Sequence, residues 1–504
     1  MRAPEAASAW GLAWGLAWRT VAARPRRAVL LCGGFGVGVG VMVVLLAVGE
    51  AMVRQASREQ LVGGGEVTVL PEGIDLEVLT TGGLGGLYFS VPNARFVHSQ
   101  VLAAPRLRDA VAAVAPQLEG KLLYLTTPAG VEHPVRAAGE LPSASRQVGA
   151  LPPVLAGVWE DDDGDRRWAA PTPAEWRHDL DRFHRPPPDM AHPEGWGEWH
   201  YFNVRSADGA RWVVLSFLVG GDVNGTDWGG QLLATVHERG RPVRRYQQLV
   251  PRSAVRFDTA SADVQVGAGA VRVLPDGRYG VTMTVPADAG APAGEAFTAR
   301  LTVAPVPHAE FPGATLLSGA STSGYVVPAL RATASGTVCT GARCEVLVEA
   351  PAYHDHNWGG WQGVTWEWGM AQAGEYTLLY GRVQPEGEGA PPPLFAYLVD
   401  RQGFLALFRP RTIAWTGTRP VSTPQGVVLA PAGAVLEEVR GGDTLRVTLA
   451  VDDAIATDTR RPGRGTSGAP RPWFVQMAGS ATVEGRVRGV PLAGRGRGFF
   501  ETYR

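Results

Sequence analysis

The chain has 504 residues and a formal net charge of −1, from 47 basic and 48 acidic side chains. Hydrophobic residues make up 45% of it and charged residues 19%, which argues against global disorder and leaves room for about three domains with buried cores. The balanced charge also argues against a nucleic-acid partner, because proteins that bind through a basic surface carry a clear excess of arginine and lysine.

The first predicted element is a membrane anchor. Residues 28–48 carry no charge, and at about 1.5 Å per helical residue they are long enough to cross the hydrocarbon core. Arg19, Arg24, Arg26 and Arg27 precede this stretch, and Glu50 follows it. The positive-inside rule therefore places residues 1–27 at the cytoplasmic face of the inner (cytoplasmic) membrane and the bulk of the chain outside it. A cleaved signal peptide is the alternative, although its apolar region is usually shorter.

The sequence around the anchor has further membrane-protein features. Trp10, Trp14 and Trp18 recur every four residues, so they share one helical face, which favours a helix lying on the membrane surface. The stretch over residues 15–55, with a strand-like EVTVLP at 66–71, resembles the beginning of a MacB/FtsX-type ABC-transporter permease subunit. No later stretch is apolar and long enough to span, so we predict a single-pass protein.

Two less regular segments follow. Residues 50–150 predict a small mixed external module, with a helix over 107–114. Residues 151–195 predict a connector, in which Thr172 and Glu175 form a capping box that opens a short helix ending at about Phe183. The acidic run at 161–165 favours a solvated turn over a calcium loop, because its glycine falls early and no glutamate closes the loop.

From Glu198 onward, short apolar segments alternate with turn residues, which predicts a mainly β region of barrels or sandwiches. We assign 196–335 to a first barrel and 336–504 to a second. Cys339 and Cys344 flank a four-residue turn, and this spacing places the two thiols opposite each other on a hairpin, within reach of a disulfide. Two unpaired thiols are the alternative, which an extracytoplasmic location disfavours.

Two clusters combine aromatic and ionisable side chains. The denser one is Tyr353-His-Asp-His-Asn-Trp-Gly359, followed by Trp366, Glu367 and Trp368; the other is Glu198-Trp-His-Tyr-Phe-Asn203. Because alternate residues of a strand share a face, we predict that Tyr353, Asp355 and Asn357 point one way and that His354, His356 and Trp358 point the other.

Three interpretations of these clusters are open. The first is a metal site at His354 and His356 with Asp355 nearby, for which the local sequence offers no third and fourth ligand. The second is a structural, tryptophan-rich strand that closes one end of a barrel. The third is an acid site, because burial against tryptophans raises the pKa of a carboxyl group and keeps its proton near neutral pH. We predict no metal and no cofactor.

The two motifs, together with a closing Gly-Arg-Gly-Phe-Phe-Glu501, resemble the carotenoid 1,2-hydratase and AttH-like, lipocalin-like family over residues 195–504. In relatives the earlier motif usually reads Glu-Trp-Trp-Tyr, so His200 is a departure. The resemblance implies two tandem lipocalin-like (calycin) β-barrels with a cleft for a lipophilic ligand. It also implies that Asp355, paired with Tyr353, protonates an isoprenoid double bond. The hydratases use a further His-x-Trp pair, and the corresponding residues 323–329 contain neither.

AttH-like proteins are implied to accompany ABC exporters. The leading hypothesis is therefore a membrane-anchored extracytoplasmic protein that binds or hands over a lipid or isoprenoid beside an ABC export system. The alternative is a hydratase, isomerase or cyclase with Tyr353 and Asp355 as its catalytic residues; a purely structural partner of a transporter is a third possibility. The candidate ligand-binding residues are Glu198, Trp199, Tyr201, His354, His356, Asn357, Trp358, Trp366 and Trp368.

Overall fold

The computed structural model describes residues 9–58, 67, 69, 91–150, 158–206, 208–287, 295–318, 321–361, 364–384, 394–423, 425–458 and 473–504. The chain forms two compact units. One comprises Met1–Phe89 and Ala115–Asp161, and the other comprises Ser90–Val114 and Asp162–Arg504. The predicted module at 50–150 is therefore divided between the two units, and most of the predicted connector belongs to the second.

Six α-helices lie within the described residues: α1 (Ala9–Ala23), α2 (Pro25–Arg58), α3 (Val91–Ala103), α4 (Pro142–Gln147), α5 (Asp163–Ala169) and α6 (Pro173–Leu180). Over Pro25–Val48, α2 is long and apolar enough to cross a membrane, although a signal sequence near the N-terminus would have the same length and composition. Pro25 starts α2 because a proline at the first helical position needs no hydrogen-bond acceptor for its nitrogen. Trp14 and Trp18 are exposed on α1. The strand-like segment at 66–71 lies almost entirely outside the described residues.

The first unit also contains an antiparallel hairpin of β1 (Gln117–Thr126) and β2 (Glu132–Glu140). Asp161 holds the start of α4, since its Oδ1 accepts a hydrogen bond of 2.7 Å from the backbone N–H of Ser143. The helix predicted over 107–114, a segment of the second unit, is wrong. Residues 105–110 form turns, in which the N–H groups of Ala110 and Val111 both donate to the carbonyl of Leu107.

The second unit begins its first sheet at residue 196. The strands are β3 (Trp196–Arg205), β4 (Arg211–Gly221), β5 (Trp228–Glu238), β6 (Arg244–Pro251), β7 (Val255–Phe257), β8 (Val264–Val266), β9 (Gly269–Val273), β10 (Tyr279–Val285), β11 (Phe297–Pro305), β12 (Phe311–Ser318), β13 (Ser321–Thr340) and β14 (Arg343–Gly360). Their order is β6-β5-β4-β3-β14-β13-β11-β10-β9-β8-β7, with β12 added beside β13. The first strand thus pairs with the last, and the edge strands β6 and β7 are joined by the short 3₁₀ turn Arg252–Ala254.

A second sheet repeats this plan. Its strands are β15 (Thr365–Ala373), β16 (Tyr376–Gln384), β17 (Phe395–Asp400), β18 (Gly403–Phe408), β19 (Ile413–Thr423), β20 (Gly426–Arg440), β21 (Asp443–Asp458), β22 (Trp473–Val487) and β23 (Val490–Tyr503). Again the first strand, β15, pairs with the last, β23, and the edges β18 and β19 are consecutive in the chain. The predicted mainly β fold, with two barrel-like sheets and one N-terminal apolar helix, is confirmed. We call these sheets the first and second barrels.

The predicted boundary between the barrels is corrected. The predicted boundary falls between residues 335 and 336, inside β13. In the structure, the chain passes from the first sheet to the second only between Gly360 and Thr365. The reason is that β14 closes the first barrel against β3. The tip of the β13–β14 hairpin carries the disulfide between Cys339 and Cys344.

Each barrel has its own apolar core, and a third apolar cluster lies between them. That cluster combines Tyr201 and Tyr353 of the first barrel with Trp368, Leu379 and Phe499 of the second. The outer faces of β3 and β14 therefore lie against the second barrel, whereas their inner faces lie in the first.

The helices of the connector position the buried side chain of Asp181. Asp162 caps α5 in a reciprocal capping box with Asp165, so the acidic run 161–165 opens a helix. The predicted capping box of Thr172 and Glu175 starts α6. This helix ends at Leu180, and the following Asp181 is fully buried.

Candidate functional site

The two faces of β14 carry different chemistry, as the alternation of residues predicts. Tyr353 belongs to the apolar cluster between the barrels, whereas the ring of His354 stacks on Phe202 of the first-barrel core at 4.1 Å. The neighbouring strand β3 follows the same alternation, since Asp355 lies opposite Tyr201 and His356 lies opposite His200.

On the outer face, Asp355 is the centre of a hydrogen-bonded group. Its Oδ2 accepts from the Tyr353 hydroxyl at 2.7 Å, and its Oδ1 accepts from Asn357 Nδ2 at 2.8 Å. Tyr353 in turn accepts a hydrogen bond of 3.0 Å from Trp368 Nε1. The Asp355 side chain is 4% exposed. Its burial raises its pKa to about 8, with a further increase from Glu501 and an opposing effect of the hydrogen bonds from Tyr353 and Asn357. The carboxyl group therefore holds a proton at neutral pH.

A second buried carboxyl group, Glu501, comes from the second barrel. It accepts hydrogen bonds from Trp366 Nε1 at 3.0 Å, Gln476 Nε2 at 3.1 Å and the Tyr201 hydroxyl at 3.2 Å. Burial raises its pKa above the usual range, against these hydrogen bonds. Because Tyr201 belongs to β3, this group connects the two barrels.

Three half-buried tryptophans border this polar group, and we call them the tryptophan cluster: Trp199, Trp361 and Trp366. Their ring centroids are separated by 4.8 Å (Trp199–Trp361), 5.7 Å (Trp361–Trp366) and 6.5 Å (Trp199–Trp366). Trp199 lies opposite Asn357, which donates to Asp355. An apolar, partly accessible surface thus adjoins the buried carboxyl group of Asp355.

Residues 323–329, which contain neither histidine nor tryptophan, run along β13. Tyr325 lies opposite Asn357 in the ladder, and its ring packs edge-on to Trp368 at 5.0 Å and is stacked with Phe395 at 6.2 Å. An aromatic side chain, that of Tyr325, therefore lies next to Asn357 and Trp368.

The inner face holds a second polar group, centred on Asp181. Its Oδ2 accepts a hydrogen bond of 2.8 Å from the Tyr279 hydroxyl and lies 2.9 Å from His354 Nε2. Its Oδ1 lies 2.9 Å from His356 Nδ1. His200 Nδ1 is 3.6 Å from Asp181 Oδ2. All five side chains are fully buried.

The same three histidines direct their other ring nitrogens at acceptors. His354 Nδ1 is 3.0 Å from the carbonyl of Tyr201, and His200 Nε2 is 2.9 Å from that of Ala262. His356 Nε2 is 3.0 Å from Glu198 Oε1. Although burial lowers the pKa of His356, Asp181 and Glu198 raise it to about 9. Burial alone would raise the pKa of Asp181, but the histidines hold it well below its usual range.

The predicted site residues thus separate into two groups. Trp199, Tyr201, Asn357, Trp366 and Trp368 lie on the outer face with Tyr353 and Asp355; Glu198, His354 and His356 lie in the first barrel, where Trp358 stacks on His184 at 3.9 Å. The structure does not bring together the metal site considered from His354, His356 and Asp355, because Asp355 points to the opposite face of β14 from the two histidines. Sequence reasoning missed Asp181, Tyr279 and Gln476, and quoted Glu501 only as part of the closing motif.

A separate cleft of about 610 Å³ is bounded by α3, α6 and the chain after β11. Its wall includes Arg177, which donates to Glu310 at 3.1 Å, and Gln100, which donates to the same carboxyl group at 3.2 Å. Neither Asp355 nor Asp181 lines it.

No protein-family model and no curated protein matches the chain. Among solved structures, it is similar to a protein of Nitrosomonas europaea described as an AttH, with 17% identity over 64% of this chain and 100% of that one, at a TM-score of 0.43. It is also similar to CghA, with 15% identity over 64% of this chain and 96% of that one, at a TM-score of 0.41. A third similar structure is kievitone hydratase from Nectria haematococca, with 12% identity over 64% of this chain and 96% of that one, at a TM-score of 0.39. At such identities the likeness says nothing of this chain's activity.

Proposed function

We propose that this protein binds a lipophilic, unsaturated molecule at the tryptophan cluster and that Asp355 transfers a proton to one of its double bonds. The observation that carries the proposal is the setting of Asp355, a buried carboxyl group that is hydrogen-bonded to Tyr353 and Asn357 and borders the tryptophan cluster. Aromatic rings suit both an apolar chain and the cation that protonation creates.

The chemistry needs no group beyond the chain, the substrate and water. The Asp355 proton forms a new C–H bond while the double bond breaks, which leaves a carbocation and a carboxylate. Water then adds to the cation and returns a proton to Asp355, so that the net reaction is hydration. Alternatively, the Asp355 carboxylate removes a proton from a neighbouring C–H bond, whose electrons form the new double bond of an isomer. Tyr353 orients the carboxyl group and Trp368 orients Tyr353, so both are positioning residues.

A binding protein without chemistry is the second candidate, which would carry or hand over its ligand. It is favoured by residues 323–329, where Tyr325 stands in place of a His-x-Trp pair. In this case the tryptophan cluster binds the ligand, and Asp355 serves only as a buried hydrogen-bonding group.

Binding and turnover can be measured separately on the full chain in lipid nanodiscs. Energy transfer from tryptophan to a conjugated polyene fatty acid reports binding, and we expect it to be saturable and weakened by Trp366→Ala. Trp228→Ala is the matched control, because Trp228 packs against the core of the first barrel. Polyprenyl and carotenoid substrates are then tested for hydrated or isomerised products. Binding without products supports the carrier, and absence of binding contradicts both candidates.

The proposed setting is the cytoplasmic membrane, with α2 as a single-pass anchor and the barrels outside. The apolar span Pro25–Val48 and the arginines before it support this orientation. Intact-mass measurement of the membrane-extracted protein distinguishes a retained anchor from a cleaved signal sequence. The proposed ABC-exporter partner predicts that transporter subunits co-purify with the full chain, and that removing residues 1–50 abolishes this.

A further inference from the structure

The polar group inside the first barrel has the composition of a metal-binding site. Asp181, His200 and His356 each offer one ligand atom, and these atoms lie within 4.8 Å of one another. Two imidazole nitrogens and a carboxylate oxygen form a common ligand set of zinc, which binds such groups at about 2.0–2.2 Å. We propose that Asp181, His200 Nδ1 and His356 Nδ1 bind a divalent transition-metal ion, Zn²⁺ above all.

The orientation of His200 is the strongest support. Its Nε2 is 2.9 Å from the carbonyl of Ala262, so Nε2 carries the proton and Nδ1 presents a lone pair. Nδ1 is fully buried, and within the described residues it has no hydrogen-bond partner. It faces Asp181 Oδ2 at 3.6 Å, and a lone pair directed at a carboxylate is stabilised by a cation between them.

The surroundings of the three ligands are those of a metal centre. Metal-binding histidines almost always donate their other N–H to a carbonyl or carboxylate, which fixes the ring. His200 has the Ala262 carbonyl in this position. His356 Nε2 lies 3.0 Å from Glu198 Oε1, an ion-pair contact without hydrogen-bond geometry. The Tyr279 hydroxyl donates to Asp181 Oδ2 at 2.8 Å and thereby orients the carboxylate.

The spacing of the ligand atoms and the charge of the surrounding carboxylates also agree with a Zn²⁺ ion. Ligand atoms at the corners of a tetrahedron with zinc-length bonds are about 3.3 Å apart. Asp181 Oδ1 lies 2.9 Å from His356 Nδ1, and Asp181 Oδ2 lies 3.6 Å from His200 Nδ1. The nearest further nitrogen, His354 Nε2, is 2.9 Å from Asp181 Oδ2 and is the candidate for the fourth position. Asp181 and Glu198 together balance the two charges of the ion. The site lies on the opposite face of β14 from Asp355 and does not depend on the proposed function.

The test uses the full chain, expressed without a polyhistidine tag, extracted in detergent, stripped with a chelator and dialysed against Zn²⁺. We expect elemental analysis to find about one equivalent of tightly bound zinc, and Co²⁺ to give the visible bands of a tetrahedral nitrogen–oxygen site. His200→Phe should weaken binding at least about 100-fold, since even loss of an outer partner of a ligand costs 10–100-fold. His237→Phe is the control, because His237 is equally buried but lies beside Trp212 and Asp453.

Wild-type protein that binds neither Zn²⁺ nor Co²⁺ would overturn the proposal, as would a folded His200→Phe variant that binds like the wild type. If His200→Phe does not fold, the stoichiometry and the cobalt spectrum of the wild type decide the question. An absorption spectrum typical of octahedral oxygen ligation would also contradict it.

Discussion

The Tyr353 hydroxyl is a buried hydrogen-bonding centre, and its removal gives a prediction with a definite magnitude. In wild-type protein it donates to Asp355 at 2.7 Å and accepts from Trp368 at 3.0 Å. Tyr353→Phe keeps the ring but leaves both partners buried without this bond. An orphaned buried polar group costs about 1–3 kcal/mol. Since Asp355 keeps its bond from Asn357, we expect the free energy of unfolding to fall by about 2–4 kcal/mol.

The chain contains a matched control in Tyr380. This tyrosine is also fully buried, yet within the described residues its hydroxyl has no hydrogen-bond partner. Tyr380→Phe therefore removes a buried polar atom without orphaning another, and it should leave stability unchanged or slightly higher. Urea unfolding followed by tryptophan fluorescence measures both variants. Equal stabilities for the two variants would refute the hydrogen-bonding role assigned to Tyr353.

Three further predictions follow from the described contacts. The pKa of Asp355 is about 8 in the folded protein and ordinary in the unfolded chain, so the folded state binds more protons between about pH 4 and 8. Its contribution to stability should therefore fall as the pH rises through that window, and Asp355→Asn should remove this dependence in unfolding measurements from pH 5 to 8. Replacing both Cys339 and Cys344 by serine should cost about 2 kcal/mol, because the closed loop is short; a reductant should lower the melting temperature of the wild type but not of this variant. Arg177→Met should destabilise the second unit by about 3–5 kcal/mol, since it leaves Glu310 buried without its charged partner; unchanged thermal unfolding would contradict this.

Local patterns predict those features that depend on neighbouring residues. The alternation along residues 353–358 is sufficient to assign both faces of β14, because the side-chain period of a strand is two. Likewise the Thr172 and Glu175 spacing predicts the start of α6, and the spacing of Cys339 and Cys344 predicts their hairpin.

The rest of the site depends on closure of the barrels, which no local pattern reveals. Glu501 reaches Tyr201 only because β23 pairs with β15 and the two barrels pack together. Asp181 reaches its histidines only because α6 ends one turn earlier than predicted and directs the chain into the first barrel. The misplaced barrel boundary has the same origin, since β14 is assigned to the first barrel by its pairing with β3.

Transfer of the Asp355 proton is the central claim, and deuterium incorporation tests it most directly. Full-length protein in nanodiscs is incubated with a polyprenyl or carotenoid substrate in D₂O, and the product is analysed by mass spectrometry. The matched control is Asp400→Asn, which alters a half-buried carboxyl group that pairs with Arg106. We predict carbon-bound deuterium in the product of the wild type and of Asp400→Asn, and at least about 100-fold less product with Asp355→Asn at unchanged polyene binding. Product formation by Asp355→Asn at the wild-type rate would contradict the claim.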